Sequence, residues 1–455
     1  MLELLDKQRR LTWNQRKIIF AAMLGGMLEF FDYFLIGFVL AFIVGPWKLT
    51  YLQSAIVLLS SGIGAMIGAA VWGWLADRIG RRKVFIATVI NFSIATGILA
   101  FTPDDGWIFL TIFRFFVGFG VGGLYCVDLP LVQEFVPSSK RGVVGGIVTA
   151  AIPLGVGLGA VLGAYLTPFV GWRGLFAVGL LPAALTLLIR AWVPESPRWL
   201  LRMGRPEEAR RSLAWALEMD PRTITLSAVT EAPRRGWLDL FRYPRSLVVS
   251  WLGNLGMQTG IYGLVLWVPT LFTQVLSVSP KEASRLMIFV SLGGFVGRIA
   301  FSYLSDAIGR RASGGLLGFG AALMVIVAAY MHDAFIGTAS VFWLSMIVTF
   351  FFGDGGFAVV GPYAAEVWPA DLRTSGMGSA YGFGGIGKII GPVGLALIVG
   401  SGNYLKPDVP LPEIPLAFLY LGCWFLMTGA VYYFFGLETR GKSIEQIDRE
   451  LAITA

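Results

Sequence analysis

The stretch GWLADRIGRR, from Gly73 to Arg82, closes a long apolar segment with one aspartate and three arginines. Half the chain later, SYLSDAIGRR from Ser302 to Arg311 repeats this box at the end of another apolar segment. A second pair, EFVPSSKR around Glu134 and EVWPADLR around Glu366, recurs at nearly the same offset. Two boxes that recur in the same order indicate two similar halves, the pattern of a duplicated membrane bundle.

The composition places most of the chain in lipid. Its 455 residues are 56% hydrophobic and 14% charged, whereas roughly 45 to 50% apolar residues is usual for soluble proteins. Segments of about 20 apolar residues span a bilayer as helices, and twelve such segments are found. The sequence therefore predicts an all-α membrane protein with twelve transmembrane helices in two six-helix bundles. The spans are predicted at 18–44, 51–75, 83–102, 107–134, 142–166, 171–193, 246–274, 284–304, 313–331, 338–365, 374–400 and 415–436.

Charge divides the chain further. After Val193 the apolar pattern gives way to PESPRWLLRMGRPEEARRSLAWALEMD, which is charged and has apolar residues at helical spacing. This composition is typical of surface helices. The predicted organisation is a cytoplasmic N-terminus at 1–17, an N-terminal bundle at 18–193, a cytoplasmic helical linker at 194–245, a C-terminal bundle at 246–436 and a cytoplasmic tail at 437–455.

The basic residues predict the orientation. Most of the 36 lysines and arginines lie on the side that holds both termini, and the positive-inside rule makes that side cytoplasmic. We expect a multi-pass protein of the bacterial inner membrane, monomeric, with the lipid bilayer as its surroundings. The net charge of +8 then reports topology, and no nucleic-acid partner is expected. The opposite side holds only Lys48, Arg173, Lys281, Arg285 and Lys406.

Catalytic chemistry has little support in this chain. His332 is the single histidine, and both cysteines, Cys126 and Cys423, fall inside apolar spans. A lone histidine at an external helix end argues against a histidine-based triad and a histidine-rich metal site, and there is no Walker A loop for ATP. We therefore expect no enzyme, no metal and no cofactor.

The repeated box suggests a cytoplasmic latch. A carboxylate at Asp77 can accept hydrogen bonds from the N-terminus of a neighbouring helix and pair with Arg81 or Arg82. The alternative for the arginines is a purely topogenic charge. The predicted latch residues are Gly73, Asp77, Arg78, Arg81, Arg82, Glu134 and Arg141 in the first half, and Asp306, Arg310, Arg311, Glu366 and Arg373 in the second.

Four motifs together resemble those of the major facilitator superfamily: GWLADRIGRR, RFFVGFGVGG from Arg114, PESPRWL from Pro194 and LETRGKS from Leu437. The last two are similar to motifs of sugar porters and of the related organic-ion and aromatic-acid transporters. The resemblance implies a central cavity lined mainly by spans 1, 4, 7 and 10, with alternating access. Ala307 and Ser302 depart from the pattern in the second box, so we expect the second latch to be weaker.

Charges inside apolar spans are costly and therefore mark function by default. The sequence FFDYFLIG around Asp32 resembles the first helix of proton-coupled sugar and organic-acid symporters, which implies that Asp32 takes the proton and pairs with Arg114. Burial and a nearby arginine act in opposite directions on the ionisation of a carboxyl group, so relative motion could switch its protonation. Direct substrate contact and a static pair remain alternatives for Asp32. Glu29 either joins this site or hydrogen-bonds within the bundle.

The second half has its own charges within spans, Arg298, Asp354 and Lys388. The two cations could attract a substrate carboxylate. Alternatively, Asp354 forms an internal salt bridge with one of them. Further candidates for substrate contact, or for simple packing, are Asn254, Gln258 and Tyr262 on one stripe of the seventh span, with Tyr363 and Tyr381 on later spans.

The function predicted from these features is proton-coupled symport of a small organic anion, for example an aromatic carboxylate such as nicotinate or a benzoate. The proton is the coupling ion, and the organic anion is the small-molecule substrate. A sugar or polyol symporter and an organic-cation transporter are the alternatives. A remote alternative is a membrane sensor that does not transport.

Overall fold

The structure, a computed structural model, describes residues 5, 8, 10–137, 140–180, 193–224, 237–369, 372–400, 402–403, 413–440, 442 and 446–447. Within these ranges it leaves out the side chains of residues 77, 124–130, 141–143, 237, 365, 373 and 374.

Helices account for nearly all of the described chain. The N-terminal part contains α1 (Trp13–Ile43), α2 (Tyr51–Ile79), α3 (Arg81–Leu99), α4 (Trp107–Glu134), α5 (Arg141–Ala150), α6 (Ile152–Tyr165) and α7 (Thr167–Val178). Two short helices, α8 (Pro197–Arg202) and α9 (Pro206–Leu217), form the linker together with 3-10 turns at Pro221–Thr223 and Trp237–Arg242.

The C-terminal part has the same helical character. It contains α10 (Pro244–Val275), α11 (Pro280–Ile308), α12 (Arg310–Tyr330), α13 (Val341–Gly355), α14 (Phe357–Glu366), α15 (Arg373–Gly385), α16 (Gly387–Val399) and α17 (Ile414–Ala430), followed by a π-helical turn at Val431–Phe435. One two-residue hairpin, β1 (Phe335–Ile336) with β2 (Ala339–Ser340), joins α12 to α13.

The predicted spans correspond closely to these helices. Among the described residues, ten helical segments are long and apolar enough to cross a membrane, three of them made of two consecutive α-helices. The apolar part of α4, Trp107–Gly123, is a shorter segment. The sixth predicted span, 171–193, lies mostly in 181–192, outside the described residues. The protein is therefore a multi-pass membrane protein.

Three predicted spans are each divided into two helices. The divisions fall at Ala151 between α5 and α6, at Gly356 between α13 and α14, and at Ile386 between α15 and α16. Pro153 follows the first division and has no N–H for the helix ladder. The other two lie among consecutive glycines, which weaken helix propagation. Glycine and proline therefore explain the interruptions, which apolar length alone could not reveal.

The chain forms two compact units. Unit 1 comprises Met1–Tyr33, Ile63–Gly155 and Arg173–Glu231. Unit 2 comprises Phe34–Gly62, Val156–Trp172 and Ala232–Ala455. The linker helices α8 and α9 thus belong to unit 1, and α1 contributes to both units.

Each unit has an apolar interior. In unit 1, Ala216 of the linker packs in a buried cluster with Ile18 of α1 and Phe135 at the end of α4. In unit 2, α10 is buried along its central length and packs against α15, α16 and α17. Small residues permit this close helix packing in a membrane.

Candidate functional site

Asp32 lies in the interior of unit 1 with only 1% of its surface exposed. Its Oδ2 accepts a hydrogen bond of 2.5 Å from Thr96 Oγ1 on α3. The other oxygen, Oδ1, is buried and has no hydrogen-bond partner within the described part of the chain. A buried oxygen without a donor is costly for a carboxylate, so the site suits a carboxyl group that can take up a proton.

Arg114 on α4 is fully buried beside Asp32. Its Nη1 donates to the backbone carbonyl of Asp32 at 3.0 Å, and its Nη2 donates to the carbonyl of Tyr33. The structure therefore brings the two predicted residues together, but Arg114 contacts the backbone around Asp32 and Thr96 contacts the carboxylate. Glu29, one turn earlier on α1, is also buried.

Arg298 and Asp354 form a direct salt bridge inside unit 2. Both Nε, at 3.2 Å, and Nη2, at 2.7 Å, donate to Oδ1 of Asp354, and the two side chains are only 5% and 10% exposed. Gly294, one turn before Arg298 on α11, provides the space, because a Cβ there would lie 2.7 Å from Asp354 Oδ2. The internal ion pair, one of the two alternatives from the sequence, is the arrangement observed.

Lys388 lies in the first turn of α16, also in unit 2. Its Nζ is 4.9 Å from the centre of the Tyr262 ring, a distance at which an ammonium is attracted to the ring face. The Tyr262 ring in turn lies 5.6 Å from the ring of Phe34. A cation beside two aromatic rings can bind a flat anion.

Two amide side chains lie on α10, one and two turns before Tyr262. Asn254 and Gln258 are both buried, and Asn254 Nδ2 donates to the carbonyl of Ser250 at 2.9 Å. Asn254 Oδ1 and Gln258 Nε2 have no hydrogen-bond partner among the described residues. Most buried polar groups have partners, so this pair is a candidate for binding a polar ligand.

The two later tyrosines differ. The hydroxyl of Tyr363 donates to the carbonyl of Leu437 at 2.6 Å, and its ring lies 5.2 Å from that of Tyr432. These contacts tie α14 to the chain that follows the last helix. Tyr381 on α15 is partly exposed. Among the contacts described, Tyr363 bonds to the C-terminal segment and Tyr381 does not.

The first of two networks at the predicted latch is organised by a residue of the linker. Glu195 accepts hydrogen bonds from the backbone N–H groups of Arg81 and Arg82, both at 3.1 Å, so it caps the N-terminus of α3. The Arg81 side chain pairs with Glu134 at 2.5 Å, which also accepts from the Ser196 hydroxyl. Gly80, which immediately precedes Arg81 at the start of α3, has φ at 105°.

The second network repeats these contacts. Glu438 accepts from the backbone N–H groups of Arg310, at 3.0 Å, and Arg311, at 3.2 Å. Arg310 pairs with Glu366 at 3.3 Å and with Asp306. Thr439 Oγ1 donates to Glu366 at 2.6 Å. Gly309, with φ at 93°, stands where Gly80 stands in the first network.

The latch residues predicted from the sequence are thus partly placed. The two networks include the side chains of Arg81, Glu134, Arg310, Asp306 and Glu366. The guanidinium carbon of Arg78 instead lies 3.9 Å from the centre of the Trp74 ring. The side chains of Asp77, Arg141 and Arg373 lie outside the described part. Sequence reasoning missed both capping glutamates and their hydroxyl neighbours, although a Glu followed by Ser or Thr occurs in both PESPRWL and LETRGKS.

The expectation that the second latch is weaker than the first stays a prediction. Every contact described for the first network has an equivalent in the second.

Buried charges within membrane helices mark candidate ion or substrate sites, and a network repeated in both halves is expected of a transporter built from two repeats. The chain belongs to the sugar (and other) transporter family, whose model matches residues 18–451. It is a transport protein and not an enzyme.

Two relatives that are named as transport proteins are similar to this chain over nearly their whole length. The chain is 30% identical to the niacin transporter NiaP of Acinetobacter baylyi, over 94% of this chain and 95% of that protein. It is 25% identical to the cis,cis-muconate transport protein of the same organism, over 94% and 93%.

Solved structures share the fold. The partially occluded, inward-open xylose transporter XylE from E. coli matches with a TM-score of 0.73 at 20% identity, over 95% of this chain and 100% of that one. The chain accordingly has the major facilitator fold.

Proposed function

We propose that this transporter carries a small organic anion, of the aromatic carboxylate class, together with a proton. The observation that carries this proposal is Lys388, whose ammonium lies 4.9 Å from the centre of the buried Tyr262 ring. A carboxylate can bind the ammonium while its ring packs on the tyrosine.

The second cation in this half has a different role. Arg298 already donates twice to Asp354, so its charge is balanced within the protein. We assign a structural role to the Arg298 pair, and we assign the anion to Lys388 because its ammonium lies beside the Tyr262 ring. The sequence predicted a substrate site with two cations, Arg298 and Lys388, whereas the proposed site uses Lys388 alone.

The relatives support an organic acid. Niacin and cis,cis-muconate, the compounds named for two of them, are both carboxylic acids. Neither assignment transfers a particular substrate to this chain, but together they favour the anion over a neutral compound.

The proton is assigned to Asp32. Protonation would give its buried Oδ1 a hydrogen to donate, and Arg114 would keep its two contacts because they are with backbone carbonyls. A buried acid that can lose its charge without breaking its surroundings suits proton coupling. Glu29, buried one turn away, is the second candidate.

A sugar or polyol is the second candidate substrate. Asn254 Oδ1 and Gln258 Nε2 offer one acceptor and one donor that the described residues leave unfilled, and hydroxyl groups satisfy both types. The fold shared with the xylose transporter fits this alternative.

The orientation completes the proposal. We infer that the monomer lies in the bacterial inner membrane with both termini in the cytoplasm, on the charge distribution of the loops.

Uptake into proteoliposomes tests the substrate. Purified protein should accumulate radiolabelled nicotinate or benzoate when the lumen is alkaline, and unlabelled xylose should not compete. Lys388→Ala should raise the KM for the carboxylate at least tenfold, Lys388→Arg should raise it less, and the matched variant Lys17→Ala should leave it unchanged. An unchanged KM in Lys388→Ala, or competition by xylose alone, would overturn the anion assignment.

A further inference from the structure

We propose that Gly62 is a positioning residue that sets where Lys388 presents its ammonium; this rests on the proposed function, in which Lys388 binds the substrate carboxylate. Gly62 lies in the middle of α2 and belongs with Lys388 to unit 2. Nothing in its sequence surroundings distinguishes it from the many other glycines of the chain.

The contact is at the base of the lysine side chain. A Cβ built on Gly62 would lie 3.2 Å from Lys388 Cβ and 3.3 Å from the Lys388 carbonyl oxygen. Ordinary carbon–carbon contacts begin at about 3.5 Å, so a side chain at position 62 would require Lys388 or α2 to shift by a few tenths of an ångström.

Lys388 cannot yield freely, because a neighbouring face of α16 is held by α10. A Cβ on Gly387 would lie 2.6 Å from the backbone nitrogen of Thr259, and one on Gly391 would lie 2.5 Å from the Thr259 carbonyl oxygen. Backbone therefore packs on backbone at this face. A push from α2 has to be taken up by the lysine side chain or by bending of α16.

Proline adds to the sensitivity of this turn. Pro392 stands four residues after Lys388 and has no N–H to donate to the Lys388 carbonyl. That same carbonyl faces Gly62. Because no helix hydrogen bond from residue 392 holds this carbonyl, a side chain at position 62 would act directly on the turn that carries Lys388.

The consequence concerns the tip of the lysine. A lysine side chain has four rotatable bonds and loses considerable entropy when it is held in one place. The close approach of Gly62 sets where the Lys388 backbone and Cβ lie, and therefore the point from which the side chain extends to place Nζ beside Tyr262. Preorganisation of this kind strengthens binding without adding a contact.

The experiment compares the KM for benzoate uptake in proteoliposomes between Gly62→Ala and two matched glycine variants. Gly26→Ala and Gly382→Ala are the controls, because a Cβ at either position would meet nothing within 4 Å. Gly62→Ala should raise the KM about tenfold, below the ~10²-fold loss that a 1 Å misplacement can cause. Gly62→Val should raise it further, and the controls should match the unmodified protein.

The Lys388→Ala background separates positioning from a general packing defect. Lys388→Ala keeps the Cβ but removes the ammonium, so adding Gly62→Ala should raise the KM no further if Gly62 acts through the ammonium. Additive effects, or a Gly62→Ala variant that equals the controls, would overturn the role of Gly62. An unchanged KM in Lys388→Ala alone would instead overturn the proposed function.

The Gly62→Ala variant can be compared with its controls even if less of it folds. The rise in melting temperature that benzoate causes reports binding to the folded fraction of each variant. Gly62→Ala should reduce this rise relative to the Gly382→Ala control even if its yield is lower, and an equal rise would contradict the inference.

Discussion

The two units each bury an arginine beside an aspartate, and they do so in opposite ways. In unit 2, Arg298 donates two hydrogen bonds to the carboxylate of Asp354. In unit 1, Arg114 donates to the backbone carbonyls at Asp32 and Tyr33, and the Asp32 carboxylate is left to Thr96. The same residue types therefore form an ion pair in unit 2, and in unit 1 an acid whose Oδ1 has no hydrogen-bond partner among the residues that the structure describes.

This difference supports a structural role for the Arg298–Asp354 pair and the proton-coupling role proposed for Asp32. The charge of Asp354 is needed by Arg298, because removal of one partner of a buried pair leaves the other charge uncompensated. The carbonyls that hold Arg114 do not titrate, so Asp32 can gain or lose a proton while the arginine keeps its contacts. Only the arrangement in unit 1 lets the acid change its charge without breaking a hydrogen bond to the arginine, which is what the proposed coupling site requires.

The largest expected effect is on coupling at Asp32. Asp32→Asn should abolish accumulation driven by a pH gradient and keep substrate exchange, because the amide preserves the Thr96 contact and cannot release a proton. Counterflow and gradient-driven uptake in the same proteoliposomes measure the two activities. Gradient-driven accumulation that survives in Asp32→Asn would remove the distinction drawn between the two pairs.

The next effect is on stability at Arg298. Arg298→Ala should lower the free energy of unfolding by about 3–5 kcal/mol, the usual loss when one member of a buried pair is removed. The double variant Arg298→Met with Asp354→Leu should recover most of it, because no charge is left unpaired. Denaturation in detergent measures both, and a stable Arg298→Ala protein would show that the pair is not structural.

A smaller effect is expected at Arg114. Arg114→Lys keeps the charge but replaces a planar group that reaches two carbonyls with a single ammonium. We expect a loss of about 1.5–3 kcal/mol, the contribution of hydrogen bonds to charged groups, by the same denaturation. Equal stability of Arg114→Lys and the unmodified protein would argue that the two carbonyl contacts contribute nothing.

The smallest effects concern the two glutamates, Glu195 and Glu438, that cap helix N-termini. Glu195→Ala and Glu438→Ala should each lower stability by about 1 kcal/mol, as expected for loss of an N-terminal helix cap. If the second latch is the weaker one, Glu438→Ala should have the smaller effect. Melting temperatures of the two variants decide this, and a larger loss in Glu438→Ala would reverse the expected order.

Much of the architecture could be predicted without coordinates. Apolar length located the membrane helices, because a bilayer sets the number of residues that cross it. The charges of Asp32, Arg114, Arg298, Asp354 and Lys388 stood out because apolar surroundings make them costly. The helix divisions at Gly356 and Ile386 did not stand out, since glycines are frequent throughout the spans.

The partners of these charges were a different matter. Thr96 carries no signal as one hydroxyl in an apolar span, and Glu195 was one of many charges in the linker. The sequence left open whether Asp354 pairs with Arg298 or Lys388, because both lie at membrane depth. The structure shows the bond to Arg298.

The sequence by itself determined that this chain is a duplicated membrane protein with charges buried in both halves, because lipid penalises charge and rewards apolar length wherever they occur along the chain. Only the tertiary structure decided which donor reaches which acceptor, and that Gly62 lies against Lys388. Hydrogen bonds and steric contacts change within a few tenths of an ångström. Distances of that size are set by helix packing between residues far apart in sequence.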